Sequence, residues 1–185
     1  MSIEKIYDDF CTDISAIEQL SDINVENKAH LERLLYANVI TLMETYLMDT
    51  FKYAISSDDN LKKIFIEKYL KFKSEKINVN NIYKTLNSIE ENYILGTSGK
   101  GMLFHNRRNI IVYLIVIDLQ TPAELTYIYS AISKRHDIVH RNGKNIRDEK
   151  TNLTSPSLNE LISEMKGFIE KLHNKLITLD IPDST

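Results

Sequence analysis

A chain of 185 residues, 43% hydrophobic and 26% charged, fits one globular domain over 1–185 with a buried core and excludes two full-sized domains. Its formal net charge is −3, and its five Gly and three Pro argue against a turn-rich sandwich or barrel. The single cysteine, Cys11, rules out an internal disulfide. With no run of about 18 apolar residues and no signal-like amino terminus, the expectation is an all-α, soluble, cytoplasmic protein with no membrane partner.

The helices are legible in chain order. Ile3, Ile6, Tyr7, Phe10, Ile14, Ile17 and Leu20, spaced by three and four, predict an amphipathic helix over 3–20, broken at Ser21-Asp22, where a new cap is expected. Residues 31–55 form the most apolar stretch, with 16 of 25 positions hydrophobic, so this helix is expected to be central. Its polar residues Asn38, Thr41, Thr45, Asp49 and Lys52 fall on one stripe, with Glu44 at the edge. That stripe fits either a solvent face or the wall of a polar cleft. Ser56 to Asp59 offers caps for a helix over about 59–74. Asn78 or Asn80 could cap another through Ile82, Leu86, Ile89 and Tyr93. The glycines at 96, 99 and 101 bring a phosphate-binding loop to mind, but Met102-Leu103 stand where Lys and Ser/Thr are needed, so a plain loop is expected.

The run Ile110 to Ile117 is as apolar as a buried strand. With no partner strand in a helical chain, it reads as a short buried helix ending near 116. Thr121-Pro122-Ala123-Glu124 predicts a helix start, with Leu125, Ile128, Tyr129, Ile132, Ile138 and Val139 on the inner side and an end at Asn142-Gly143. Ser157-Leu158-Asn159-Glu160 is a second capping box. It opens a helix burying Leu158, Leu161, Ile162, Met165, Phe168, Ile169, Leu172 and Leu176, with a frayed tail over 180–185.

Charge is uneven along this plan. Residues 1–60 hold 12 acidic and 4 basic side chains, whereas 133–150 hold six basic ones: Lys134, Arg135, Arg141, Lys144, Arg147 and Lys150. A basic segment on an acidic chain suits an anionic ligand. Within it, Arg135-His136-Asp137-Ile138-Val139-His140-Arg141-Asn142 concentrates the chemistry of the chain, and three readings apply. His136 and His140, four apart on a helix, could hold a metal with Glu160 or Glu164, although two arginines disfavour a cation and Asp137 is shorter than the usual Glu base. The cluster also fits simple helix-end electrostatics, with cations against the dipole and an Asp137–Arg141 pair. Lastly, His for proton transfer and Arg for phosphate suit metal-free phosphoryl transfer, needing no cofactor. Five residues apart on a regular helix, Arg135 and His140 point about 140° apart. A symmetric dimer joining two such helix ends would let them converge.

Arg135, four residues beginning with a polar one, then His140, followed by Arg141-Asn142-Gly143 at the end of a late helix, resembles the Arg-x4–6-His motif of HEPN (higher eukaryotes and prokaryotes nucleotide-binding) domains. Glu44 to Asp49 on the long apolar helix is similar to the early helix of that family, and the likeness spans 25–178. It is closest to the groups found in prokaryotic defence and toxin–antitoxin systems. The resemblance implies an all-α HEPN-like helical bundle forming a symmetric homodimer. It implies a metal-independent endoribonuclease, a hydrolase-class enzyme leaving a 2′,3′-cyclic phosphate. Arg135 would bind phosphate, His140 would be the acid/base and His136 would support them; Arg141, Asp137, Asn142, Lys144 and Glu44 would contact RNA, with Asn38 and Asp49 near the cleft. An antitoxin or other defence-system protein is the implied partner. Some members are non-catalytic interaction or nucleotide-binding modules, which is the alternative.

Overall fold

Six α-helices and no strand make up the described residues of the computed structural model, which are 2–73, 84, 87, 91, 101–141, 143–144, 147–148 and 157–179. The all-α expectation holds. In chain order the helices are α1 (Ile3–Ser21), α2 (Lys28–Ser57), α3 (Asp59–Lys73), α4 (Arg107–Val116), α5 (Glu124–Arg141) and α6 (Leu158–Thr178). The helix expected through Ile82, Leu86, Ile89 and Tyr93, the glycine loop up to Lys100 and the tail 180–185 lie outside the described residues.

Most helix ends follow local chemistry. Asp58 accepts from the Asn60 and Leu61 amides at 2.7 and 3.2 Å and opens α3. Asn106 accepts from the Arg108 amide at 3.0 Å and opens α4. In α6 the box closes reciprocally: the Ser157 amide donates to Glu160 Oε2 at 2.7 Å and the Glu160 amide to Ser157 Oγ at 3.2 Å. Two starts differ from expectation. Asp22 does not cap α2; the helix begins only at Lys28, whose ammonium instead donates to the Ser21 and Ile23 carbonyls across the turn. Likewise α5 begins at Glu124, two residues past Pro122, with a turn bond from the Leu125 amide to the Pro122 carbonyl before it, and the Glu124 carboxylate is taken by Lys171 of α6.

The packing divides into two compact units. One comprises Met1–Ile6, Leu47–Thr121 and Asn174–Thr185. Its core is aromatic: Phe51 meets Phe65, Phe104 and Tyr113 edge-on with ring centroids 5.0, 5.8 and 5.4 Å apart. The strand-like run is α4, buried on several sides at Ile110, Val112, Tyr113, Leu114 and Val116. The other unit comprises Tyr7–Tyr46 and Pro122–His173. There Phe10 packs on Tyr46 at 5.5 Å, and His173 stacks flat on Tyr7 at 3.9 Å. All eight apolar residues expected on the inner face of α6 are buried. Among the described residues no helix is long and apolar enough to cross a membrane.

Candidate functional site

Every residue of the Arg–His segment lies in the unit of Tyr7–Tyr46 and Pro122–His173. The chain puts it there through α5. Leu125, Ile128 and Ala131 are buried on the inner stripe of that helix, with Ile132 and Ile138 half-buried. Val139, expected on this stripe, is 49% exposed instead. The stripe reaches Arg135, four residues on from Ala131 and seven from Ile128. A guanidinium thus occupies an inward position in the row set by apolar side chains. Arg135 is half-buried, and its Nε is shut off from solvent with no hydrogen-bond partner among the described residues.

The imidazoles occupy the other side. His136 and His140 are exposed, with ring centroids 4.7 Å apart and planes tilted by 48°. They sit in the last turns of α5. Because α5 runs unbroken to Arg141, Arg135 and His140 do point apart, by about 140° on helical geometry.

The other cations here are paired. Arg141 Nη1 donates to Asp137 Oδ1 at 2.6 Å, and Lys144 Nζ to Asp148 Oδ1 at 2.8 Å. Arg135 has no such carboxylate among the described residues. The end of α5 is turned by Gly143, whose φ of +76° suits glycine and whose amide donates to the Asp137 carbonyl at 3.0 Å.

The predicted residues therefore separate. The structure brings together His136 with His140, and Asp137 with Arg141. Lys144 is exposed beyond the turn, and Asn142 lies outside the described residues. Glu44 is half-buried on α2 with Oε1 shut off from solvent, and Asn38 on the same helix is exposed. Asp49 falls in the other unit, where burial holds its carboxyl above the usual range and Lys52 partly opposes this. Glu160 and Glu164, weighed as a third metal ligand, act on Tyr127: burial first, then these two carboxylates, pushes its phenol up to about 12. Among the described residues no three His, Cys, Asp or Glu side chains gather where a metal ion could sit.

Arg33 and His30 of α2 carry no motif in the sequence. Arg33, half-buried on α2, lies against Gly143: a Cβ placed there would stand 3.3 Å from Arg33 Cδ and 3.7 Å from Nε. Arg33 Nη2 in turn lies 3.3 Å from His30 Nδ1. No spacing rule connects residue 33 with residue 143; the only signal is a lone arginine in an acidic stretch.

The chain matches no family model, no curated protein and no solved structure.

Proposed function

We propose that the protein is a metal-independent endoribonuclease of HEPN type that acts as a symmetric homodimer of helical bundles in the cytoplasm, in a defence or toxin–antitoxin setting. The observation that carries this reading is Arg135. A cation set on an inward helical stripe, with a buried Nε lacking a partner and no carboxylate to neutralise it among the described residues, is costly unless an anion completes it. A phosphodiester is such an anion, and the guanidinium fork matches it.

In this mechanism the ribose 2′-oxygen attacks the adjacent phosphorus and the 5′-oxygen leaves. His140 takes the proton of the 2′-hydroxyl and returns it to the leaving 5′-oxygen, a role for which an imidazole is suited. Arg135 stabilises the charge that grows on the phosphate oxygens, and His136, 4.7 Å from His140 by ring centroids, supports them. The products are a 2′,3′-cyclic phosphate and a 5′-hydroxyl. Since Arg135 and His140 diverge on one helix, the complete site takes one from each protomer.

Incubation of the protein with labelled RNA in EDTA tests this. The expected result is cleavage leaving cyclic phosphate ends, reduced about 10²–10⁴-fold in His140→Ala and about 10²–10³-fold in Arg135→Ala. Cleavage that needs an added divalent metal, or none across diverse RNAs, overturns it. A second reading, a non-catalytic module docking a partner protein, draws on the exposed Leu20, Ile23, Val25 and Leu34 around the α1–α2 turn. It predicts an intact dimer that binds a partner and leaves RNA uncut.

A further inference from the structure

The first sixty residues contain a single arginine, Arg33, and the fold sets it beside the turn that ends α5. Gly143 is the contact point, three residues after His140 in the chain, so the Arg33 side chain borders the turn that ends α5. Gly143 is both the turn and the clearance: any side chain there would crowd Arg33 at 3.3 Å and strain a φ of +76°.

The pairing pattern distinguishes Arg33 from its neighbours. Arg141 and Lys144 are neutralised by Asp137 and Asp148. Arg33 instead contacts His30 Nδ1, a ring nitrogen that can orient the guanidinium without the negative charge of a carboxylate. No carboxylate pairs with it among the described residues, although Glu32 precedes it in sequence. Two arginines of this unit, Arg135 on α5 and Arg33 on α2, thus have no carboxylate partner among the described residues. Two separate cations fit two phosphates better than one.

We propose that Arg33, oriented by His30, holds a second phosphate of the RNA strand next to the one being cleaved, so that the site takes a phosphodiester chain rather than a mononucleotide. The proposal rests on the nuclease reading of α5 and extends it to substrate grip. Single-strand sites track the backbone with such cations, and each phosphate contact adds to the salt dependence of binding.

The test is a titration of a short fluorescent RNA by anisotropy over a range of salt, in a His140→Ala background to prevent cutting. Arg33→Gln is expected to weaken binding at low salt and to flatten the slope of log Kd against log salt by about 0.7, one phosphate's share for a single strand. Arg33→Lys, which keeps the charge, is expected to retain most of the slope. With His140 present, Arg33→Gln raises KM for RNA more than it lowers kcat. An unchanged slope and affinity in Arg33→Gln overturns the proposal. So does an equal loss in Arg33→Gln and Arg33→Lys accompanied by a lower Tm, which marks a packing role against Gly143. RNA bound with an Arg33-dependent slope but never cut sinks the nuclease reading and supports the phosphate contact. RNA cut with an Arg33-independent slope does the reverse, and RNA neither bound nor cut overturns both.

Discussion

The two ends of α5 are made of the same helix and serve opposite ends. The first half is closed: Leu125, Ile128 and Ala131 are buried, and Glu124 is tied to Lys171. That ion pair, through its hydrogen bond first, holds the Glu124 carboxyl below the usual carboxylate range. The second half keeps the inward stripe but fills it with Arg135 and leaves His136 and His140 in water. Buried polar groups are ordinarily satisfied. Both halves depart from it, the first at Glu124 Oε2 and Tyr127 Oη and the second at Arg135 Nε, but only the second does so with a cation that has no carboxylate beside it among the described residues. Such breaches in an otherwise consistent fold are where function is expected to reside.

This contrast can be broken by substitution. The largest effect belongs to the open end: His140→Ala and Arg135→Ala abolish most RNA cleavage, as above, while the Tm of the exposed His140→Ala variant stays at the parent value. Next comes the closed end. Ile128→Ala leaves a cavity in a fully buried position and costs about 2–5 kcal/mol of stability. Urea titration reads that loss, and cleavage per folded molecule is expected to be unchanged. Smaller still is Lys171→Met, which strands the carboxylate of Glu124. About 1 kcal/mol is the expected cost, kept low because the Lys171 side chain is 53% exposed. The pH dependence has a definite sign. A carboxyl held low in the fold contributes stability that is present above its unfolded pKa and disappears as pH falls through its folded one. The gap between parent and Lys171→Met is therefore full at pH 7 and closes in acid. A gap that persists at low pH contradicts the ion pair as its cause.

Much of this was readable in the residues. The α6 box and its eight buried apolar positions follow from capping chemistry and period alone, because both are local. The α4 run, indistinguishable from a strand by itself, was settled by the lack of a partner strand. What failed was decided by distant chain. Glu124 read as a capping residue, yet Lys171 on α6 claims it. Val139 fitted the apolar stripe but lies where the unit no longer covers α5. At the site, the Arg135-to-His140 spacing was visible, as was the Asp137–Arg141 pair at four residues. The Arg33 contact with Gly143 was not, since only the fold joins positions so far apart.

The central claim is that Arg135 and His140, diverging on one α5, act together across two chains. Mixing the inactive Arg135→Ala and His140→Ala proteins under conditions of subunit exchange tests it directly. In the mixed dimer one of the two sites joins an intact Arg135 to an intact His140 of the partner subunit, so cleavage is predicted to return to about a quarter of the parent level. If the mixture stays as inactive as either variant while mixed dimers form, the shared site is contradicted.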